Sequence, residues 1–209
     1  MTHRNTPAAE VFDSLGAEYE RAFAHAPGHH EALRWLAERL PPGSEVLDVG
    51  SGTGYPTAHA LAGAGHRVLG VDVSPVMVEL AARRVPEAVF RRADARTLEI
   101  APASLDAVCA FFSLLQMDRA DQRALVERIA GWLRPGGLFV TATAVLDVER
   151  APFTWMGHDV EVTSFAAGDY LGLLEAAGLT VLESHEREFT PDVESPITES
   201  QLFAYARKP

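Results

Sequence analysis

The sequence predicts a doubly wound α/β sheet, and three observations predict it. Apolar, strand-like runs alternate with helix-like segments from residue 45 onward. Three of those runs, VLDV, VLGV and DAVCAFF, are nearly continuous in hydrophobicity, as parallel strands covered on both faces require. The last two runs, LTVLESHEREF and SQLFAYARK, alternate instead. The loop between them, TPDVESPIT, leaves no room for a crossover helix, so these two strands are expected to pair antiparallel at an edge.

In chain order, Glu10 to Leu40 shows helical spacing, with Val11, Leu15, Tyr19 and Phe23 on one stripe and Leu33, Leu36 and Leu40 on another. Pro27 and Gly28 divide this cap into two helices. Strands are expected at Glu45 to Val49, Arg67 to Val71, Ala88 to Arg92, Leu105 to Phe112, Leu138 to Val145, Thr180 to Phe189 and Gln201 to Lys208. Helices are expected near Pro56 to Ala64, Pro75 to Arg84, Ala120 to Leu133 and Ala167 to Ala177. Pro135 ends the preceding helix, and Gly136 and Gly137 shape the turn into the fifth strand. The reading is one domain over residues 1–209, with a helical cap at 1–40 and a lid-like insertion at 146–165, where LDVERAPFTWMGHDVEVTSF fits neither period.

Composition narrows the partners. Against 29 acidic residues stand 18 Lys and Arg, a net charge of -11, and no basic stripe interrupts the acidic background. Nucleic acid and anionic membranes are repelled by such a surface, and a small-molecule partner is favoured. The longest apolar run, Leu105 to Met117, is broken by Asp106, Ser113 and Gln116 and is too short to span a bilayer. The amino terminus has no basic and apolar leader pattern, so a cytoplasmic location is expected. Cys109, the single cysteine, lies in an apolar segment and reads as an inert buried thiol. Oligomeric state leaves no clear trace.

The chemistry centres on EVLDVGSGTGYPT, with Gly50, Gly52 and Gly54 directly after the first strand. In a doubly wound sheet this loop sits where ligands bind. The spacing does not match the G-x-G-x-x-G of dinucleotide sites, and a phosphate-binding P-loop would need a lysine that is missing. Asp48, two residues upstream, would repel pyrophosphate but tolerates a cationic or zwitterionic ligand. Asp72 ends the next strand, placed to accept hydrogen bonds from a ribose diol, and Asp94 in RRADA could meet an adenine edge together with the backbone of Ala95.

These residues resemble the class I S-adenosylmethionine-dependent methyltransferases, especially the small bacterial group acting on small molecules. The resemblance rests on D-x-G-x-G-x-G at Asp48 to Gly54, Asp72, the Asp94-Ala95 pair, the fourth strand LDAVCAFFSLLQM and LRPGGLF, and covers roughly Asp13 to Lys208. It implies a mostly parallel, seven-stranded Rossmann-like sheet with an antiparallel edge strand. It also implies S-adenosylmethionine as methyl donor, with S-adenosylhomocysteine as its product. Gly50, Gly52 and Gly54 would pack against the methionine part, Asp72 with Val73 would hold the ribose, and Asp94 with Ala95 would border the adenine. Phe111 at the fourth strand end belongs to the same set. FDSLGAEY is similar to the family's amino-terminal Tyr-Asp motif, and Tyr19 inherits a contact to the donor's carboxylate.

The acceptor is open to oxygen, nitrogen or carbon. An oxygen acceptor is helped by a general base, whereas a neutral amine or thiolate needs none. Candidate bases are His29, His30, His158 and Asp159, with His158 in the insertion the best single choice. Gln116 stands where related proteins often carry a histidine, and it can orient an acceptor without taking its proton. Trp155 and Met156 suit an apolar or aromatic acceptor. Tyr19, Gln116, Trp155 and His158 form the acceptor set. An acid after the fourth strand with a later Asp-Asn pair is missing, so no metal is expected. The alternative is a protein that keeps fold and donor site but no longer transfers methyl.

Overall fold

Helices α4 (Thr57–Gly63) and α5 (Pro75–Arg84) carry the chain between the parallel strands β1 (Glu45–Val49), β2 (Arg67–Asp72) and β3 (Val89–Arg92). The structure, a computed structural model, describes residues 7–23, 26–193 and 196–209, and only the backbone of residues 7, 8, 17 and 19. From β3 the chain returns to the other side of β1 as β4 (Leu105–Phe111), then passes through α6 (Arg119–Trp132) into β5 (Leu133–Ala144). After α7 (Ala167–Ala176) come β8 (Thr180–Phe189) and β9 (Glu199–Arg207). The sheet order is β3-β2-β1-β4-β5-β9-β8, so strand order reverses between β1 and β4.

Pairing is parallel throughout β3 to β5; α4, α5 and α6 supply crossovers, while residues 93–104 carry the chain from β3 to β4 without a helix. β9 runs antiparallel to both β5 and β8, which places the reversed strand one position in from the edge and leaves β8 outermost. The predicted antiparallel pair is therefore present, joined by a short loop.

The continuous apolar runs have the predicted cause. On β1, Val46 faces one core and Leu47 the other; on β4, Val108 and Cys109 divide in the same way. One core is sealed by α6 and α7 through Leu125, Ile129, Tyr170 and Leu174, the other by α3 (Pro27–Ala37) and α4 through Leu33, Leu36 and Leu61. Cys109 is wholly buried and its thiol pKa is pushed well up by that burial. Two helix starts are capped by side chains: Ser74 Oγ accepts from Met77 N at 3.0 Å ahead of Pro75, and Asp118 accepts from Asp121 N at 2.8 Å.

Two regions depart from the sequence reading. The amino-terminal stretch forms α1 (Pro7–Leu15), α2 (Ala17–Phe23) and α3 (Pro27–Ala37), because Gly16 at φ +49° breaks the first predicted helix before Pro27 begins the next. Residues 146–165 are not irregular: β6 (Val148–Trp155) and β7 (His158–Ser164) pair antiparallel as a separate two-stranded sheet. Met156 and Gly157, both at positive φ, make the two-residue turn whose twist suits a hairpin. Among the described residues no helix is long and apolar enough to cross a membrane.

Candidate donor and acceptor site

The glycine loop is held open by backbone. Gly50 N and Ser51 N both donate to Val71 O, at 2.8 and 3.0 Å, tying the loop to the end of β2. Gly50 sits at φ +70°, and a Cβ there would lie 2.3 Å from Ser113 Cβ, so the segment after β4 passes directly against it. Gly52 also has positive φ but faces open space, and its N–H donates to Asp72 Oδ2 at 2.9 Å. Asp72 Oδ1 takes the N–H of Ser74 at 2.9 Å. Burial raises the Asp72 pKa, with the amides of Ser74, Gly52 and Val73 opposing. With three amides on its two oxygens, the carboxylate keeps lone-pair capacity for a ligand hydroxyl.

The helical cap is anchored to these same strand ends. Ser74 Oγ donates to Asp13 Oδ1 at 2.5 Å, Thr53 Oγ1 donates to Glu20 Oε2 at 2.5 Å, and Arg84 pairs with Glu20. The sequence reading assigned nothing to Asp13 or Glu20. Their signal was proximity to FDSLGAEY, the stretch matched to the amino-terminal motif.

Beside the loop lies a cavity of about 1620 Å³ over the carboxyl ends of the strands. Gly50, Gly52, Asp72, Val73, Asp94, Ala95 and Phe111 line it from one side, and Gln116, Trp155, Met156, His158 and Asp159 from the other. Most sequence-predicted residues are thus brought to one space. Asp48 and Gly54 are not on its wall. Gly54 is buried against Phe90, Val85 and Ala81. Asp48 is 2% exposed, and its pKa rises to about 8, by burial first and then by the charge of Asp72, so it carries a proton at neutral pH. The acidic charge that the sequence reading gave Asp48 is removed by the depth at which β1 sits. The side chain of Tyr19 lies outside the described residues.

Asp94 is gripped by Arg96, whose Nη2 lies 2.7 Å from Oδ2 and whose Nη1 reaches Asp121 at 2.9 Å. Burial alone would raise the Asp94 pKa, but the hydrogen bonds and charge of Arg96 outweigh it and bring the pKa below the usual value. His29 and His30 do not line the cavity. His29 lies behind Phe111, ring centroids 4.1 Å apart, with Nε2 2.9 Å from Thr57 Oγ1. Burial, with His30 adding to it, lowers its pKa to about 3, so it stays neutral and packed, the opposite of an exposed base.

The far wall is aromatic. Trp155 meets Phe12 edge-on at 6.1 Å and Phe23 at 5.9 Å, and Phe23 meets Phe189 at 5.8 Å. His158 Nε2 lies 3.3 Å from Ser14 Oγ, so the tip of the hairpin touches α1. The hairpin base is tied down by Thr163 N donating to Leu115 O at 2.7 Å and Gln122 Nε2 to Thr163 O at 3.1 Å. Leu146, Phe153 and Ile197 are exposed at the cavity's edge.

Residues 46–137, covering β1 to the start of β5, match the methyltransferase domain family. O-methyltransferase cnsE of Penicillium expansum is 34% identical over 190 residues, spanning 82% of this chain and 68% of that protein. The chain belongs to the class I S-adenosylmethionine-dependent methyltransferases. An uncharacterized methyltransferase of Synechocystis sp. is 32% identical over 75% of this methyltransferase and 76% of its own length. In fold it is similar to Burkholderia thailandensis 1,6-didemethyltoxoflavin-N1-methyltransferase, solved with 1,6-didemethyltoxoflavin and S-adenosylhomocysteine, at TM-score 0.72 and 23% identity over 100% of this chain and 92% of that one. The [4+2]-cyclase SpnF has the same fold, at TM-score 0.71 and 20% identity over 97% and 96%.

S-Adenosylmethionine is the methyl donor and a small molecule the acceptor. The donor fits the residues present. Asp72 offers a fixed acceptor pair, and Ser113 Oγ, on the cavity wall, is buried with no hydrogen-bond partner among the described residues. Phe12, Phe23 and Glu199 are wall residues to which the sequence reading gave no role in the site. Phe23 was marked only as part of an apolar stripe, and nothing local distinguishes Glu199.

Proposed function

We propose that this methyltransferase methylates a hydroxyl group on an uncharged small molecule with an apolar body, without a metal. The observation that carries this reading is the charge of the cavity wall. Among the described residues it holds nine carboxylic acids and two arginines, and Arg96 and Arg150 are both already ion-paired. An anionic acceptor is repelled by such a wall. A basic amine is drawn in but held protonated, and an ammonium has no lone pair to attack with. A neutral hydroxyl escapes both problems. The aromatic far wall and the exposed Leu146, Phe153 and Ile197 suit an apolar body.

Relatives support the oxygen reading: besides cnsE, O-methyltransferase resE of Aspergillus sclerotiorum is 32% identical over 83% of this chain and 75% of its own length. Among the described residues no group of three or more His, Cys, Asp and Glu is arranged to hold a metal ion. Activity unchanged in EDTA is the expected result, and loss restored by magnesium overturns this part.

Bound donor supplies an electrophilic methyl on a sulfonium sulfur. In this reading Gly50, Gly52, Asp72 with Val73, Asp94 with Ala95, and Phe111 hold it, and Gln116, Trp155 and His158 face the acceptor. The hairpin and α1 close over both as a lid and exclude water, so positioning contributes much of the rate. Asp72→Ala is expected to weaken S-adenosylmethionine binding by about 1 to 3 kcal/mol, read by calorimetry. The acceptor class is tested with a panel of neutral phenols from 2-naphthol to tetracyclic compounds, with matched arylamines and aryl carboxylic acids, following S-adenosylhomocysteine and methylated product together. Turnover of the phenols is expected. Turnover confined to amines or acids, or none of the panel, sinks the reading.

A further inference from the structure

Glu199 opens β9, where it pairs with Phe189 of β8, and its side chain is part of the cavity wall. Because β9 runs antiparallel to β5, its first residues stand at the carboxyl end of β5: Ala144 pairs with Gln201, and Val145 N donates to Ser200 O at 2.8 Å. An acceptor seated over that end of β5 lies between Glu199 and the side of the cavity formed by Gly50 and Phe111.

The carboxylate is fixed by neutral donors. Gln201 Nε2 donates to Oε2 at 3.1 Å, and the Trp155 indole N–H donates to the same group. Trp155 is itself packed between Phe12 and Phe23. Among the described residues no Lys, Arg or His forms an ion pair with Glu199. A largely buried carboxylate without a cation is costly to keep unless it has a task. Burial pushes its pKa up, with the bonds from Gln201 and Trp155 opposing, and an elevated carboxylate pKa suits proton transfer near neutral pH. His158, in contrast, sits where the hairpin tip meets Ser14.

A negatively charged cavity also makes a free phenolate or alkoxide unfavourable, so the hydroxyl proton has to leave as the new bond forms. We propose that Glu199 is the group that takes this proton, with Trp155 and Gln201 as positioning residues; this rests on the hydroxyl reading above. The acceptor oxygen bonds to the methyl carbon while the carbon–sulfur bond breaks, its electron pair remaining on sulfur. The hydroxyl proton passes to the Glu199 carboxylate, which returns it to water once the product has left.

The test uses the full chain, S-adenosylmethionine and the phenol of the panel with the highest turnover, 2-naphthol being the starting compound. Glu199→Gln keeps the shape and is expected to lower kcat by 100-fold or more, with donor affinity within twofold and the melting curve intact. The acid limb of the wild-type profile is expected to vanish in E199Q. The other titratable groups on this side of the cavity are Glu10, Arg150, His158, Asp159, Glu161 and Glu188, so the limb has to be assigned by substitution. It is expected to persist in His158→Gln. Trp155→Phe keeps a ring but removes the N–H, and is expected to move the limb to higher pH because the ionised carboxylate loses a donor. Independently of turnover, carboxyl-13C glutamate spectra of the S-adenosylhomocysteine complex should contain one resonance, absent in E199Q, that titrates above the usual glutamate range. The proposal is overturned if E199Q retains kcat, if only KM rises, if the limb follows His158, or if that resonance titrates normally. Absence of turnover with every phenol defeats the hydroxyl reading itself, a result distinct from active phenol methylation by E199Q.

Discussion

The cavity has two sides built in different ways. On the β1–β3 side the wall is made of strand ends and the turns between them: Gly50, Gly52 and Asp72 are positioned by backbone conformation and by amide hydrogen bonds no longer than 3.0 Å. On the β5–β9 side the wall is made of side chains delivered from distant segments, Phe12 and Phe23 from the cap, Trp155 from the hairpin, and Glu199 from β9. The first side can be written in a short contiguous motif because each residue is placed by its neighbours in sequence. The second exists only after the cap and the hairpin have met, and aromatic packing tolerates substitution more readily than a backbone turn does.

The largest effect should come from the buried ionisable groups that support the backbone side. Asp48 has its folded pKa raised to about 8, so it stabilises the fold least once ionised: stability falls as pH rises from its unfolded value near 4 through 8. His29 has its folded pKa lowered to about 3, so stability falls as pH drops from 6.5 towards 3. From these two groups, stability should be level between about pH 4 and 6.5, then decline by about 1.4 kcal/mol per pH unit up to 8. Asp48→Asn should remove that decline and restore a rise below pH 6.5, a change in the profile of about 5 kcal/mol between pH 4 and 8. Urea titrations across this range measure it, and an unchanged profile would show that Asp48 is solvated.

Next in size is Gly50→Ala. The new Cβ meets Ser113 and the backbone stays at positive φ, a combined strain of about 3 kcal/mol. Donor affinity should fall at least 100-fold, while acceptor affinity changes little. Donor binding within threefold of wild type would mean that the loop is not set by its backbone.

Smallest, and on the other side, is Trp155→Ala. Loss of the ring should raise the acceptor KM about 10-fold, near 1.4 kcal/mol, with the donor dissociation constant unchanged. Equal weakening of donor and acceptor would show that the two sides of the cavity are not separable.

Much of the fold was legible because β1, β2 and β4 are largely buried on both faces and read as apolar runs, and crossover helices α5 and α6 start with identifiable caps, Ser74-Pro75 and Asp118. The hairpin was missed because Val148 to Trp155 is mostly exposed on both faces, so hydrophobic alternation was weak there and the Met156-Gly157 turn was the stronger cue. The break at Gly16 was missed because the apolar stripe from Val11 to Phe23 continues across it in sequence.

By itself the sequence determined the sheet and the place of the glycine loop and Asp72 at the strand ends, since these depend on local conformation and on patterns a few residues long. Only the tertiary structure decided that Asp48 is buried and protonated, that His29 is packed behind Phe111, and that Glu199 shares a cavity with Trp155. Burial and neighbouring charge set the protonation of these groups, and both are properties of elements that meet across more than forty residues of chain in the case of Trp155 and Glu199.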